Sequence, residues 1–450
     1  MRINLSFFIV VAIVSSVSLS AASTLVPLPT GVWRTSGYGY IFDANAGKLT
    51  IYDESRAACI FNSVSEGPTA DEYIGKAELD PAGNHAVLHA GISLIPAERL
   101  KKLPRRCRQS PADADPQHNF DVLWQTFDEH YAFFAKRNVD WNSIRSEYRP
   151  RAAAARSDDE LFKVFSSMLA RLKDAHVHLD APEMQFQAMR EQQPTTPDAD
   201  GIVPTRRALQ RALKDYVTGP STPLLHPAIG VGQQRVWYGR LTPDTGYIVV
   251  FAMGGFEDEV INSDANAQSA QRVFQQIAAD LAGVSGVVLD LRYNQGGYDP
   301  VSLALAGLFT DRAGLAFRKS ARGSSMKPYA ITLQPAPPPR LVVPVAVLIS
   351  KYTVSAAESA AAMFRTLPNA TLIGQPTEGA LSDVLEKKLP NGWRVTLSNE
   401  IFLDADGGSP EGVGILPNTL TPVPAPASSD ARFRPDISEA LRWLDSRRTH

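Results

Sequence analysis

Hydrophobic and polar positions follow three successive patterns along this chain. In the first, apolar and polar residues alternate over short runs. Between residues 23 and 98, short apolar runs are separated by turn signals such as Pro81-Ala-Gly-Asn. The runs are Gly37–Phe42, Leu49–Tyr52 and His85–His89. Such alternation, bounded by Pro, Gly, Asn and Asp, predicts half-buried β-strands. We therefore expect residues 23–108 to form a small antiparallel β domain.

The period becomes helical from Asn119 onward. Five large apolar side chains share one helix face, namely Phe120, Leu123, Trp124, Phe127 and Tyr131. A second amphipathic run covers Asp158–Leu172, and a strand is expected at Ala175–Leu179. Residues 109–182 are thus predicted to be a helical segment that ends in a strand carrying Asp174-Ala-His. Residues 183–235, rich in Gln, Pro, Thr and Asp around one helical stretch at Arg206–Tyr216, are predicted to be a variable linker or lid.

From residue 236 to residue 450 the pattern is α/β. Strands are predicted at Gly246–Phe251, Gly286–Leu291, Leu341–Ile349 and Ala370–Ile373, with helices at Val260–Ala282, Val301–Leu308 and Ala356–Phe364. Alternation of strands and helices predicts a mostly parallel sheet with functional groups at the carboxyl ends of the strands. The turn Asn294-Gln-Gly-Gly and Ser355 both follow such ends. They are expected to face one another across one cleft.

Composition limits the possible partners. The 450 residues include 45 basic and 47 acidic side chains, a net charge of −2. No overall field would attract nucleic acid, so no nucleic-acid partner is expected. One cluster of basic residues lies around Pro104, at the junction between the first two segments of the chain, and is predicted to be a solvated linker. Its members are Lys101, Lys102, Arg105, Arg106 and Arg108.

The N-terminus has the pattern of a secretory signal peptide. Arg2 precedes an apolar run from Phe7 to Val14, and Ser20-Ala21-Ala22 follows as a cleavage site. A retained anchor is the alternative, but the run is shorter than the roughly 20 residues that a spanning helix needs. We predict removal of residues 1–22 and export to the periplasm or the medium, without an integral membrane span.

Cys59 and Cys107 are the two cysteines of the chain. In an oxidising compartment they could form one disulfide that ties the first segment to the start of the second. Two buried free thiols are the alternative.

Ser355 stands at the start of the alanine-rich helix, in the run Thr353-Val-Ser-Ala-Ala-Glu358. Backbone N–H groups in a first helical turn lack intrahelical partners and carry the positive end of the helix dipole, so they would stabilise an oxyanion formed beside Ser355. The same S-x-x-E spacing also fits a capping box, in which Ser355 and Glu358 only satisfy the donors of the helix start. The local sequence leaves both interpretations open.

Several ordered motifs together resemble those of the tail-specific, or C-terminal processing, serine peptidases. They are Val288-Leu-Asp-Leu-Arg-Tyr-Asn-Gln-Gly-Gly, Val345-Ala-Val-Leu-Ile-Ser-Lys-Tyr-Thr-Val-Ser-Ala-Ala-Glu, Leu372-Ile-Gly-Gln-Pro-Thr-Glu-Gly and Glu411-Gly-Val-Gly-Ile-Leu-Pro-Asn. Upstream, Phe120-Asp-Val-Leu-Trp, Val139-Asp-Trp and Leu172-Lys-Asp-Ala-His resemble the lead-in of the branch related to the tricorn core peptidase. The resemblance implies a crotonase- or ClpP-like α/β core, a polypeptide substrate, and Ser355 as nucleophile.

The resemblance also implies how the serine is activated. One branch of the family uses a lysine just after a Pro-Thr-x-Gly turn, but here Pro376-Thr-Glu-Gly379 is followed by Ala380 and Leu381, and Lys387 and Lys388 fall too far along. The PDZ domain usual in that branch has no counterpart pattern in 183–235. The tricorn-like branch uses a histidine and a glutamate, which correspond to His176 and Glu411.

The physical roles follow from the chemistry of an alcohol nucleophile, which needs a neighbouring base that a third group orients. His176 would take the Ser355 proton and pass it to the leaving amine, while Glu411 would hold the imidazole tautomer. The N–H groups of Ala356 and of Gly297 or Gly296 would form the oxyanion hole. In the tricorn core a serine precedes the histidine, whereas Ala175 stands here. The loop acids Glu378, Asp404 and Asp406 are alternatives to Glu411.

Rival chemistries lack supporting motifs. His176 and His178 could share one strand face and bind zinc, but no further ligand motif completes a site. Ser324-Ser-Met-Lys327 matches the S-x-x-K of penicillin-recognising enzymes without its companion motifs, and G-x-S-x-G is missing around Ser355. We expect no metal and no cofactor.

The predicted function is an exported serine endopeptidase acting on unfolded or C-terminal polypeptide segments. The alternative is a non-catalytic peptide-binding protein on a degenerate peptidase scaffold.

Overall fold

A computed structural model describes residues 25–45, 47–66, 76–109, 114–188, 205–257, 263–421 and 429–448. The predicted signal peptide, residues 1–22, lies outside these ranges. None of the helices in these ranges combines the length and the apolar character that a transmembrane span requires. The predicted fold class is confirmed: the chain has a mixed α/β core, a helical lead-in and an N-terminal antiparallel sheet.

The described residues form twenty-one strands, here numbered in chain order. They are β1 Gly31–Thr35, β2 Tyr40–Asn45, β3 Lys48–Glu54, β4 Cys59–Glu66, β5 Lys76–Leu79, β6 His85–Ala90, β7 Ser93–Leu100, β8 His178–Ala181, β9 Met184–Gln187, β10 Ile229–Val231, β11 Val236–Thr242, β12 Thr245–Val250, β13 Gly286–Asp290, β14 Gly314–Ala321, β15 Tyr329–Leu333, β16 Val345–Ile349, β17 Ala370–Gly374, β18 Val384–Lys388, β19 Arg394–Ser398, β20 Glu400–Leu403 and β21 Thr419–Leu420.

Eight α-helices accompany these strands in the described part of the chain. They are α1 Pro116–His130, α2 Trp141–Ala153, α3 Asp158–Leu169, α4 Arg206–Thr218, α5 Ser263–Asp280, α6 Asp299–Gly307, α7 Ala356–Thr366 and α8 Ser429–Arg448. Short 3₁₀ turns cover Arg105–Gln109 and Ala170–Leu172.

The N-terminal domain is a seven-stranded antiparallel sheet in the order β4-β3-β2-β1-β7-β6-β5. Alternate side chains face one core, including Trp33, Phe42 and Leu88, as the period-two pattern predicts. The disulfide between Cys59 and Cys107 is formed and joins β4 to the turn that leaves this domain.

The central sheet has the order β10-β11-β12-β13-β16-β17-β21, and β12 onward is parallel. Helices α5, α6 and α7 pack on one face and α4 and α8 on the other. Both faces of the sheet are therefore covered, which explains why every residue of β13 and β16 is buried and nearly all are apolar. Because β13 and β16 are neighbours, the Gly296-Gly297 turn and Ser355 leave the sheet at the same edge.

The helical lead-in packs on a four-stranded sheet, β18-β19-β8-β9, which the sequence pattern predicted only in part. The segment 183–235 supplies β9 to this sheet, and it supplies β10 and the covering helix α4 to the central sheet. Residues 189–204 of that segment lie outside the described residues.

Two predicted strand starts are wrong. The strand expected from Ala175 begins at His178, because Asp174 makes a turn: its Oδ1 accepts the His176 N–H at 3.0 Å and its carbonyl accepts the Val177 N–H at 3.0 Å. The strand expected from Leu341 begins at Val345, since Pro344 has no N–H for the ladder. His176 therefore lies in a turn and does not share a strand face with His178.

Candidate active site

Ser355 occupies a strained turn between β16 and α7, with φ 59° and ψ −130°. A non-glycine residue at such angles costs about 1–3 kcal/mol and persists only where its surroundings impose it. Here the Val354 N–H donates to Asn294 O at 3.0 Å, and the Ser355 N–H donates to Glu358 Oε2 at 3.1 Å. Ser355 and Glu358 thus form the capping box that the spacing predicted. The half made by the Ser355 N–H uses only the backbone, so it is compatible with a chemical role for the hydroxyl.

The glycine turn after β13 approaches Ser355 more closely than any side chain would allow. A Cβ on Gly296 would lie 2.7 Å from Ser355 Cβ, and one on Gly297 would lie 2.4 Å from the Met253 carbonyl carbon. Both glycines also have positive φ, 86° and 145°. Glycine is required here because the backbone itself lines the site.

The N–H groups around Ser355 are not equivalent. The Gly296 N–H donates to Asn294 Oδ1 at 2.8 Å, and Asn294 Nδ2 in turn donates to Val250 O at 2.9 Å. Among the residues that the structure describes, the N–H groups of Gly297 and Ala356 have no hydrogen-bond partner. Two free donors thus flank the serine, one from each of two neighbouring strand ends.

Two buried glutamates hold the segment that follows the Pro-Thr-x-Gly turn. Glu358 accepts hydrogen bonds from Thr377 Oγ1 at 2.6 Å and from the N–H groups of Gly379 and Ala380 at 2.7 and 2.9 Å. Glu411 Oε2 accepts the next two N–H groups, from Leu381 and Ser382, at 2.8 and 3.0 Å. Four successive backbone donors therefore bind two carboxylates, which connects the serine helix to the Glu411 loop.

Arg137 continues this network to the histidine. Its Nη2 lies 3.2 Å from Glu411 Oε1 and 3.7 Å from Asp174 Oδ2. Asp174 is fully buried and also accepts a hydrogen bond from Tyr131 OH at 2.9 Å. Burial and the neighbouring Asp174 carboxylate raise the pKa of Glu411 to about 8. Sequence reasoning missed Arg137, since nothing in its local sequence distinguishes it from other charged residues of the lead-in.

His176 is buried, and burial lowers the pKa of its imidazole below the usual 6.5. Its main chain is held on both sides, by Asp174 Oδ1 and by Thr396 Oγ1, which donates to His176 O at 2.6 Å. No partner for His176 Nδ1 is found among the described residues. The ring is thus kept neutral near pH 7 in a fixed loop.

The candidate residues are brought into one network without direct contact between their functional groups. Within the described ranges, no hydrogen bond joins the Ser355 hydroxyl, the His176 ring and the Glu411 carboxylate to one another. Glu411 instead binds Arg137 and two backbone N–H groups. The loop acid Asp404 caps its own turn through the N–H groups of Asp406 and Gly408.

The rival motifs lie elsewhere. Lys387 reaches the N-terminal domain, where its Nζ lies 3.2 Å from Asp53 Oδ1. Ser324 and Lys327 belong to the turn after β14, not to a helix. His178 Nε2 lies 3.0 Å from Ala175 O. In the described part of the chain, no group of three or more His, Cys, Asp or Glu side chains could hold a metal ion.

Comparison with known proteins places these features in a family. Residues 244–421 match the model of peptidase family S41, and residues 112–170 match the tricorn protease C1 domain. The carboxy-terminal processing protease CtpA of Bacillus subtilis (strain 168) is 29% identical over 142 residues, which are 32% of this chain and 30% of that protein. The chain thus matches less than a third of the length of that relative.

Solved structures share the fold. A candidate peptidase from Parabacteroides merdae ATCC 43184 has a TM-score of 0.60 at 24% identity, with 74% of this chain and 97% of that one covered. Mature CPAF complexed with lactacystin has a TM-score of 0.52 at 11% identity, covering 73% and 97%. The S41 and tricorn C1 matches stand in the order that the motifs predicted, and together with the CtpA relative they support assignment of the chain to the tail-specific peptidases of family S41.

Proposed function

We propose that the chain is an exported serine endopeptidase that cleaves unfolded or C-terminal polypeptide segments through an acyl-enzyme on Ser355. The observation that carries the proposal is the pair of unpartnered N–H groups, on Gly297 and Ala356, beside a serine in a strained strand-to-helix turn. Donors fixed in advance around a developing oxyanion are typically worth about 3 kcal/mol each in the transition state. Strain at a nucleophile is a recurrent feature of such turns.

In the proposed reaction, the Ser355 oxygen attacks the carbonyl carbon of the scissile peptide bond. His176 takes the serine proton and returns it to the leaving amine, after which water attacks the acyl-enzyme with the same base. A buried, neutral imidazole suits the first step because it can accept a proton. The Gly297 and Ala356 N–H groups donate to the tetrahedral oxyanion. The Gly296 N–H already donates to Asn294. The role of Gly296 is therefore steric, because it lets the backbone approach Ser355 closely.

Glu411 is assigned an indirect role in this proposal. Its carboxylate binds Arg137, and Arg137 also contacts Asp174, whose Oδ1 accepts the His176 N–H. Glu411 would therefore orient the histidine by holding this loop. The same route would compensate for Ala175, which stands where the tricorn core has a serine.

The substrate class and the export of the protein are inferred from the motifs and from the N-terminal sequence. The proposed substrate class is supported by the family motifs and by the similarity to CtpA, a carboxy-terminal processing protease. Export follows from the pattern of Arg2, the apolar run to Val14 and the small residues up to Ala22.

A fluorophosphonate probe tests the nucleophile without knowledge of the natural substrate. We expect the purified mature protein to form a single adduct, on a peptide containing Ser355, and the variant His176→Ala to react at least about 100-fold more slowly, since general-base catalysis is worth about that much. Mass spectrometry locates the adduct, and the intact mass of protein expressed from the full sequence reports whether residues 1–22 are removed. An unlabelled Ser355 in a folded protein would favour the non-catalytic peptide-binding alternative.

The rate of labelling should also depend on pH in a defined direction. Since burial lowers the pKa of His176 below 6.5, the imidazole stays neutral to a lower pH than an exposed histidine does. We expect the labelling rate to fall on the acid side with a midpoint below pH 6.5. Measuring the rate between pH 4.5 and pH 8, with the melting temperature as a control for unfolding, checks this; a midpoint above the ordinary histidine value would contradict it.

A further inference from the structure

Helix α4 begins over the edge of the central sheet at which the candidate site lies. Gln210 Nε2 donates to Tyr293 O at 2.7 Å and to Phe251 O at 3.2 Å. Phe251 directly follows β12, and Tyr293 comes shortly after β13. The start of α4 is therefore bonded to strand ends at the same edge from which Gly297 and Ser355 leave the sheet.

Arg206 stands one turn before Gln210 and extends from α4 to the glycine turn. Its Nη2 lies 3.4 Å from Gln295 Oε1, in a long hydrogen bond. Gln295 and Gly297 are both exposed, and two residues span at most about 7 Å of chain. The guanidinium therefore lies beside an open part of the site, a short distance from the Gly297 N–H that would bind the oxyanion.

Arg206 has no carboxylate partner in the part of the chain that the structure describes. The long bond to the neutral Gln295 amide is its one polar contact there, and its Nε is buried without a hydrogen-bond partner. Arginine side chains that are withdrawn from water are usually paired with an acid, because burial of an unpaired charge is costly. The half-buried Arg206 therefore keeps donors that no described residue fills.

The charges around Arg206 agree with this geometry. Burial lowers the pKa of the Arg206 guanidinium, and the Arg207 charge lowers it further, while the Glu378 carboxylate raises it. The Glu378 N–H donates to Thr353 O at 3.2 Å, which places this acid near the serine turn, but among the described residues no ion pair joins Glu378 to Arg206. Arginine stays charged at pH 7 in spite of its burial. The site thus presents a cation that still lacks a paired acid.

We propose that Arg206 is a specificity residue that binds a carboxylate of the polypeptide substrate close to the scissile bond. The inference rests on the proposed function, because a peptide that reacts at Ser355 must lie against the Gly297 turn. A carboxylate supplies only acceptors, and it matches the planar fork of a guanidinium with two parallel hydrogen bonds. A neutral group in the same place would leave the cation unpaired.

Two parts of a polypeptide can supply this group, namely the free C-terminus and the side chain of an aspartate or a glutamate. An extended peptide advances about 3.3 Å per residue. A carboxylate two to four residues from the scissile bond would therefore cover the distance from the Gly297 turn to Arg206.

Four matched peptides separate the two sources. The reference peptide has Gln three residues before and three residues after the scissile bond, and it ends at the second Gln in an amide. One peptide has a free terminal carboxylate instead of the amide, and each of the other two has Glu in place of one Gln. We expect at least one carboxylate peptide to exceed the reference in kcat/KM by about tenfold or more, since a missing polar partner penalises the wrong substrate. The peptide that gains identifies the carboxylate that Arg206 binds.

Variants of α4 assign the preference to Arg206. Arg206→Gln should reduce it to within about twofold of the reference peptide, and Arg206→Lys should keep part of it, because lysine retains the charge without the planar fork. Arg211→Gln removes an exposed charge further along α4 and should leave the preference unchanged. The melting temperature of Arg206→Gln should not fall, since the described chain gives Arg206 no ion pair to lose. An arginine retained only to stabilise α4 would lower that temperature when replaced.

A binding measurement keeps the proposal testable if no peptide is cleaved. The Ser355→Ala variant should bind the preferred carboxylate peptide at least about tenfold more tightly than the reference in calorimetry, a difference of about 1.4 kcal/mol. Equal binding of all four peptides, or a preference that Arg206→Gln does not reduce, would overturn the role of Arg206 and leave the peptidase proposal standing. A carboxylate preference that Arg206→Gln removes, without any Ser355 adduct, would support the role of Arg206 and remove the peptidase chemistry.

Discussion

Replacing Ser355 with alanine is expected to reduce peptide cleavage by at least about 10⁴-fold, the scale at which loss of a nucleophile acts in serine peptidases. The reason is chemical, since alanine offers no oxygen for the acyl-enzyme. The fold should survive, because alanine keeps the backbone N–H that donates to Glu358, and loss of the side-chain half of the capping box costs only about 1 kcal/mol. The measurement is turnover of a quenched peptide, with the melting temperature as a check on folding.

Ser324→Ala is the matched control for this experiment. Ser324 belongs to the competing S-x-x-K motif and lies in a turn between β14 and β15. Its replacement should leave turnover within about twofold of the parent, because surface substitutions of this kind change little. Full turnover by Ser355→Ala, or loss of turnover in Ser324→Ala alone, would reject the assignment of the nucleophile.

Replacing Lys319 with methionine is expected to lower the free energy of unfolding by about 3–5 kcal/mol, the range seen when one partner of a buried ion pair is removed. The Lys319 Nζ lies 2.5 Å from Asp383 and 2.6 Å from Glu400, and it donates to Ser93 Oγ at 2.8 Å. Methionine fills a similar volume but leaves these carboxylates without a counter-charge. Urea unfolding and the melting temperature both report the loss.

Lys163→Met provides the comparison for that variant. Lys163 pairs with Asp159 at 2.6 Å, but the two side chains are 72% and 62% exposed. An exposed helical pair contributes at most about 0.5 kcal/mol. If Lys319→Met were no more destabilising than Lys163→Met, the buried cluster would not hold the domains together as its geometry indicates.

The Lys319 cluster also gives residues 23–108 a physical role. Ser93 and Tyr38 come from the N-terminal sheet, and Tyr38 OH donates to Glu400 on β20. A second junction lies nearby, where Lys387 Nζ meets Asp53 of the same domain. The N-terminal domain therefore packs against β14, β18 and β20, which carry Lys319, Lys387 and Glu400.

The sequence by itself determined the order and type of the main elements. Period-two runs predicted the N-terminal sheet, and alternating strands and helices predicted the parallel core, because burial on one face or on two leaves a direct trace in the hydrophobic pattern. The same trace placed Gly297 and Ser355 at neighbouring strand ends. Motif spacing sufficed for this because the glycine turn and the serine turn each follow a buried strand directly.

Only the tertiary structure decided how the polar groups are shared. Glu411 could be named from its motif, but its bonds to Leu381, Ser382 and Arg137 join segments far apart in the chain. Likewise, the Lys319 ammonium meets Asp383 and Glu400 only after distant segments of the chain have packed together. Hydrophobic periodicity records which residues are buried, whereas the partner of a buried charge depends on long-range packing, and no local pattern encodes that partner.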